Sequence, residues 1–506
     1  MRIDDLDCAV VIPSDGNVSP SDLTMALAKG ARMHGATLIE GVTVTGFEIV
    51  NGRLTGIDTD QGRIGCEKAA ICAGIWSRQI GRMAGVEIPI QPSHHCYFIS
   101  EKSPEVPKDL PFWRDPDRWH YVREEVGSLL VGQYDPNPIP FEPTEVPNSY
   151  AFHLQQENLD HFMPNFEPLI HRVPLAGKLG VKSWIRGLES FTEDQNPIVG
   201  ETTVSGLYTA CGFNAYGVSV GTGFGNALAH WIVEGEPPFD LWPVDIRRFA
   251  AFHGSSQLTK VRAVEGQGHH YTVHFPFEEP AASRPLRRSA LYDRLKANGA
   301  YFNAKLGWER PSWFAAPDEA PLADLTFGRP KWMANVAREH HACRNAVALF
   351  DQSSFAKYLV TGRDAEAVLQ RLCAADVGKP PGRLTYTQML NRRGGIEADI
   401  TVARLSEREF YLVTGTAFGS HDAHHIERHL SADDNVSLVD MTSAFGALSL
   451  MGPNARALLS EIAEGELSNE KFPFGHVRNI YVAGAPVRAL RVSFVGELGW
   501  ELHIPT

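Results

Sequence analysis

The residues with the clearest capacity for chemistry lie between Gly212 and Trp231, in GFNAYGVSVGTGFGNALAHW. The apolar run LYTACG enters this stretch and ALAHWIV leaves it, an order that predicts buried strand, glycine-rich turn and helix. Gly212, Gly217, Gly221, Gly223 and Gly225 keep side chains out of the way. Backbone amides can then approach a flat or anionic ligand, where the helix N-terminus adds partial positive charge. The competing explanation is a tightly packed glycine helix with no ligand, and glycine content alone favours it. Histidines form a second group. SHHCYF carries His94 and His95, either of which can accept a proton near neutral pH. A lone histidine is common, however, and only convergent geometry makes a site. In HDAHHIERH, His421, His425 and His429 recur four apart on one helical face. That spacing suits a metal, but no carboxylate or cysteine partner follows at fixed spacing, so a solvated face is expected and no metal site. His269-His270 and His340-His341 are read the same way.

These groups need a large scaffold. The chain has 506 residues, enough for two or three domains, with 43% hydrophobic and 21% charged residues, ordinary for a globular protein. A net charge of −13 argues against a nucleic-acid surface and gives no reason to invoke an anionic membrane. No apolar run approaches membrane-span length, and MRIDDLDCAV lacks the order of a secretory signal. Seven scattered cysteines without a CxxC pair suit free thiols and a cytoplasmic setting.

Ala9 to Ile12 runs apolar into a Pro-Ser-Asp-Gly turn. Ser19 then caps a predicted helix with Pro20 in its first turn, and Leu23, Ala26, Leu27 and Ala31 share one face. Short strands are expected at Leu38-Ile39, Val42 to Ile49 and Leu54 to Thr59, the last two forming a hairpin through Asn51-Gly52. Ala69 to Ala73 predicts a strand, followed by a helix from Ile75 to Ala84. Tyr97 to Ser100, Trp119 to Arg123, Ser128 to Gln133 and Val181 to Phe191 predict an antiparallel sheet over a pocket. Pro136 to Pro147 reads as loop, Phe152 to Met163 as helix, and Ile246 to Val264 as a possible helix between linker-like blocks. A new unit is expected near Tyr301. It has helices at Lys331 to Phe350, Asp364 to Ala374, Phe418 to Leu430 and Pro453 to Ile462. A strand at Phe355 to Val360 and three more between Leu384 and Thr414 complete it.

PSDGNVSPSDLTMALAKGAR, AAICAGIWSRQIGRMAGVEIPIQPSHHCYF and GFNAYGVSVGTGFGNALAHWIVEGEPPFDLW together resemble the dimethylglycine and sarcosine dehydrogenases and oxidases. That family joins an amine-oxidising FAD domain to a folate-binding aminomethyltransferase domain, and the likeness covers nearly the whole chain. The implied fold is α/β and α+β: the remainder of an FAD-dependent amine-oxidase-like domain, then an aminomethyltransferase-like α+β domain. The implied divisions are 1–240 for the oxidoreductase domain, 241–300 for a connecting domain and 301–506 for the folate-binding domain. A GxGxxG fingerprint and an attachment histidine, expected near the start of such a domain, are absent from this sequence. The sequence also stops part-way through the transferase domain, so a fragment cut at both ends is expected.

The resemblance assigns roles residue by residue. His95, two residues before Tyr97, matches a catalytic histidine, and Tyr121 matches its tyrosine partner. Val44, Ala73, Gly74, Gly212, Phe213, Asn214, Gly217 and Val218 match flavin contacts. Asp399, in LTYTQMLNRRGGIEADITV, matches an acid-base carboxylate, with Ala398 where many members have a second acid. Tyr386 and Glu501 match folate and pterin contacts. The implied reaction is oxidative demethylation of dimethylglycine or sarcosine. Hydride passes to FAD, the one-carbon unit passes to tetrahydrofolate to give 5,10-methylenetetrahydrofolate, and an electron-transfer flavoprotein or oxygen serves as acceptor. The alternative is a catalytically inactive homologue acting as a regulatory subunit, or an inactive fragment.

Overall fold

The computed structural model describes every residue except Thr144. The chain forms two compact units, Met1–Ile246 with Ala251–His274, and Arg247–Ala250 with Phe275–Thr506.

In the first unit, helix α1 (Pro20–Met33) begins where expected: the Ser19 hydroxyl accepts the amide of Asp22, and Pro20 occupies the first turn. None of its residues is fully buried, however, Leu23 and Ala31 being only half-buried, and Ala9 to Ile12 and Leu38-Ile39 form no strands. A hairpin follows, β1 (Val44–Val50) and β2 (Arg53–Thr59), turning through Asn51 and Gly52, both with positive φ. Next come β3 (Gly62–Gly65), β4 (Ala69–Ile71) and α2 (Ser77–Met83). The main sheet is antiparallel, in the order β6-β7-β8-β5-β9, from β5 (Ile90–Ser100), β6 (Trp113–Asp115), β7 (His120–Glu125), β8 (Ser128–Gln133) and β9 (Val181–Thr192). Phe98, Val122 and Val131 point to its back, where α3 (Leu159–Phe162) and α4 (Phe166–Arg172) supply Phe162 and Leu169. Helix formation at Phe152 is pre-empted: the Gln155 amide bonds to the Arg186 carbonyl and the Arg186 guanidinium to the Gln156 carbonyl, which ties that stretch along β9. A smaller sheet, β10 (Ile198–Glu201), β11 (Leu207–Cys211) and β4, has β11 parallel to β4. Helix α5 (Gly217–Glu234) leaves β11 through the predicted glycine turn and packs Ala227, Leu228 and Trp231 inward. Helix α6 (Ser256–His269) packs on β5 and β9.

In the second unit, α7 (Tyr292–Ala297) precedes the hairpin β12 (Ala300–Lys305) and β13 (Trp308–Phe314). Helix α8 (Met333–Asn345) stops short of the predicted Phe350. The β-forming residues after it become β14 (Ala348–Asp351), which pairs with β20 (Phe445–Met451). One five-stranded sheet contains β15 (Ala356–Thr361), β16 (Leu384–Leu390), β17 (Ile396–Arg404), β18 (Glu409–Thr414) and β19 (Ser437–Asp440), in the order β16-β17-β18-β15-β19. Helices α9 (Ala365–Leu372) and α10 (Gly419–Glu427) share its core, where Val368, Leu369 and Ile426 meet Ala398, Ile400 and Val402. The second sheet adds α11 (Ala455–Ile462), β21 (Ala463–Glu464), β22 (Val477–Val482), β23 (Ala485–Leu490) and β24 (Gly499–Pro505). No helix among the described residues is long and apolar enough to cross a membrane.

Candidate functional site

The front of the main sheet follows from register. Tyr97 pairs with Gly132, and Gly132 with Tyr121, so these three share the face opposite Phe98, Val131 and Val122. His95 lies two residues from Tyr97 on the same face. Alternation sends His94 to the back with Cys96, where its Nδ1 is buried without a partner beside Gln133 and Arg186. Burial, helped by the charge of Arg186, lowers the pKa of His94 to about 4.

On the front face the rings of His95 and Tyr121 are parallel, with centroids 6.3 Å apart. Gly132 is the floor beneath Tyr121: a Cβ there would overlap the phenol end of the Tyr121 ring. Gly187, opposite His95, has nothing within 4 Å of a built Cβ, so the space beside His95 is open. Burial pushes the Tyr121 phenol well above its usual range, with the neighbouring Tyr134 and Glu189 adding to the effect, which keeps it a hydrogen-bond donor at neutral pH.

A chain of rings joins this face to the glycine turn. Tyr121 lies 5.1 Å from Tyr134, Tyr134 stacks on Tyr271, Tyr271 lies 4.3 Å from His270, and His270 lies 4.6 Å from Tyr216, which begins α5. Burial lowers His270 to about 4, against a hydrogen bond that its ring donates to the Asn214 carbonyl, and proximity to His95 lowers it further. His95 and the turn therefore border one ring cluster. None of Gly132, Tyr134, His270 or Tyr271 was singled out as a site residue in the sequence; only the register and the return of the chain after α6 bring them in.

The residues matched to flavin contacts divide into two groups. Asn214 is buried and braces the turn: its Oδ1 accepts the Thr192 amide at 2.8 Å and its Nδ2 donates to the Gly212 carbonyl at 2.6 Å. Gly212, at φ +64°, is required by packing, since a Cβ would strike Thr192 and Ile90. Phe213 packs against the α5 core. Gly217 and Val218 instead open α5 with amides facing outward from a helix start, and Gly217, Gly221 and Gly225 form an uncrowded stripe along it. Gly74, at φ +53°, is likewise uncrowded, with Ala73 before it after β4, and Val44 begins β1. A helix N-terminus and a side-chain-free helix face fit a flat, anionic cofactor such as FAD.

In the second unit Asp399 and Tyr386 meet on exposed strand positions. The Asp399 carboxylate beside it raises the Tyr386 phenol, and Gln388 Nε2 donates to Asp399 Oδ1 at 2.9 Å. Glu501 stands on β24 in the other sheet, 3.7 Å from the buried His503, whose Nδ1 lies 3.0 Å from the Tyr411 hydroxyl. Among the described residues no hydrogen bond or ion pair joins Glu501 to Asp399 or Tyr386.

The expected solvated face of α10 is corrected: His421 and His425 are buried. The His421 ring lies 3.0 Å from Asp422 and 3.4 Å from Glu397, and Asn391, which braces the 392–395 turn, donates to Glu397 at 3.0 Å. Burial pushes Glu397 up, but the hydrogen bonds from His421 and Asn391 outweigh it and hold the carboxyl at about 2. Burial lowers His421, and its two carboxylates more than reverse that. Of the three spaced histidines, His421 is thus ion-paired in the core, His425 is buried and pushed down to about 3, and His429 stays exposed. Among the described residues no group of three or more histidine, cysteine, aspartate or glutamate side chains is arranged to hold a metal.

In comparison with known proteins, three family models match successive parts of the chain, the middle one running across the boundary between the two units. The FAD dependent oxidoreductase family matches residues 2–231, the FAD dependent oxidoreductase central domain 234–289, and the GCVT N-terminal domain 291–506. The chain is 38% identical to mitochondrial sarcosine dehydrogenase of Homo sapiens, aligning over all of this chain and 60% of that protein. It is 36% identical to 4-methylaminobutanoate oxidase (formaldehyde-forming) of Paenarthrobacter nicotinovorans, over 98% of this chain and 60% of that one. It is 33% identical to the mitochondrial pyruvate dehydrogenase phosphatase regulatory subunit of Mus musculus, over all of this chain and 58% of that one. The chain thus spans about three fifths of the length of the curated relatives it matches.

Proposed function

We propose, on the premise that the chain belongs to the family of sarcosine and dimethylglycine dehydrogenases, that it takes part in FAD-dependent oxidation of an N-methylated amino acid. The carrying observation is the His95–Tyr121 pair above a glycine floor, joined by a ring cluster to the α5 turn. FAD, when bound, supplies a hydride acceptor. The chain's own residues prepare the amine. An ammonium nitrogen has no lone pair to assist loss of hydride from its methyl group, so the proton must leave first, and the imidazole of His95 accepts it. Tyr121, kept protonated by burial, orients the ammonium by accepting its N–H on the neutral hydroxyl oxygen, which leaves the nitrogen lone pair free once the proton has gone to His95, and the surrounding rings exclude water.

In the second unit Asp399, in contact with Tyr386 and Gln388, holds a carboxylate where a one-carbon iminium and a folate could meet. Transfer of the one-carbon unit to tetrahydrofolate is the reading that this carboxylate supports.

Likeness to a regulatory subunit gives the competing reading, and one measurement separates the two. The flavin-loaded protein is mixed anaerobically with sarcosine or dimethylglycine and its visible absorbance followed. Bleaching at a rate that collapses in His95→Gln supports the enzyme; a wild-type flavin left oxidised by every N-methyl amino acid tried supports the regulatory subunit.

A further inference from the structure

The front of the main sheet carries a cation that none of these roles uses. Arg114, on β6, stands directly opposite Tyr121, so its side chain leaves the same face. Its guanidinium lies 5.4 Å from the centre of the Tyr271 ring and 5.5 Å from that of Phe112. Its charge acts on Tyr134, Tyr216, Tyr271 and His270, all members of the ring cluster.

No carboxylate neutralises it among the described residues. The adjacent Asp115 is engaged by Arg172 at 2.7 Å and faces Arg118, and Arg123, on the next strand, is paired with Glu125 at 2.7 Å. Arg114 is thus a guanidinium resting on aromatic faces, its hydrogen-bonding fork free of any acid.

A methylated amino acid brings two charges into such a site. His95 can remove the ammonium proton, but the carboxylate stays anionic and needs a cation. We propose that Arg114 anchors that carboxylate and is the residue that restricts the site to methylated amines bearing an acid group. The inference rests on the N-methyl amine oxidation proposed above. Its geometry is that of an oriented substrate. The acid end points toward β6 and the nitrogen toward β5, across the Tyr121 ring that lies over Gly132 between them, with open space over Gly187 on the far side of His95. β6 and β5 are three strand spacings apart, about 14 Å, a distance that a long arginine side chain narrows from one side. A planar guanidinium binds a carboxylate through two parallel hydrogen bonds, which a lysine cannot reproduce.

The test uses the flavin-loaded protein with Arg114→Gln and Arg114→Lys. Two amines are compared, sarcosine and dimethylamine, which lacks the acid group. The probe for binding alone is methoxyacetate, a carboxylate with no amine, titrated against the visible flavin spectrum. In Arg114→Gln, KM for sarcosine should rise about 30- to 100-fold with kcat changed less than threefold. The sarcosine-to-dimethylamine ratio of kcat/KM should fall by the same factor. The methoxyacetate perturbation seen in wild type should vanish, and Arg114→Lys should recover only part of each effect. Equal losses on both amines would overturn the assignment, as would methoxyacetate binding unchanged in Arg114→Gln or absent from the wild type. A wild type that oxidises no N-methyl amino acid refutes the proposed activity instead, and the methoxyacetate titration still reads Arg114 by itself.

Discussion

The two candidate sites control protons by opposite means. Around the main sheet of the first unit, burial dominates: His270 on its front and His94 on its back are pushed down to about 4, and the tyrosines are pushed up. Near Asp399 in the second unit, partner charge dominates. Against burial, Glu397 is held at about 2 by His421 and Asn391, and His421 is raised by Asp422 at 3.0 Å and Glu397 at 3.4 Å. A desolvated site keeps its groups neutral and suits removing a proton from a cation. A charge-paired site keeps its groups ionised and suits fixing a hairpin beside a carboxylate.

The most damaging change should be His95→Gln, which removes the proton acceptor. Flavin reduction at pH 7 should slow about 10²- to 10⁴-fold, and the deficit should shrink as pH rises toward the alkylammonium range near about 10, where the amine arrives already neutral. A deficit independent of pH would mean that His95 does not act as a base. Glu397→Gln attacks the other strategy. With His421 left beside Asp422 alone, the second unit should lose about 3 kcal/mol, read as a lower denaturant midpoint for a probe in the second unit with that of the first unit unmoved.

Gly132→Ala should cost about 1–3 kcal/mol and displace Tyr121, visible in near-UV circular dichroism. Gly187→Ala, over open space, should cost clearly less, and equal costs would show that the floor beneath Tyr121 is not special. The smallest effect is the order of acid loss. His94 and His270 bind protons more readily unfolded than folded, so their contribution falls as pH drops from about 6.5 to 4. In the second unit His425, lowered to about 3 by burial, acts in the same sense, but the raised His421 opposes it. The contribution of Glu397 persists until pH falls below about 4.5 and is lost toward 2. Unfolding monitored by tryptophan fluorescence across pH 7 to 3 should show the first unit weakening first; the reverse order would contradict the division.

Much of this was legible in the sequence because it is local. Ser19 and Pro20 set a helix start, Asn51-Gly52 a hairpin turn, and apolar alternation the strands of the front sheet. The resemblance located His95, Tyr121, Asp399 and Tyr386, and the structure brings each pair together. What was not legible depends on register or on distant partners. Arg114 and Gly132 are ordinary letters until β6, β7 and β8 align them with Tyr121. The face of α10 was expected in water because its periodicity marks only that His421, His425 and His429 share a side. Glu397, which pairs with His421, lies on β17, more than twenty residues earlier. Ala348 to Phe350 looked helical because its strand partner comes about a hundred residues later, in β20.

The uncrowded stripe of Gly217, Gly221 and Gly225 has a consequence for how this protein can be altered. A methyl group added at those positions meets no other residue, apart from the Phe213 Cβ at 3.8 Å from Gly217. Alanine there should leave the fold intact and even strengthen α5, by up to about 1 kcal/mol per site. A survey scoring only thermal tolerance would therefore pass these substitutions as harmless, while any planar guest lying against the helix would lose its seat. Durability and occupancy can be tuned apart at three neighbouring positions.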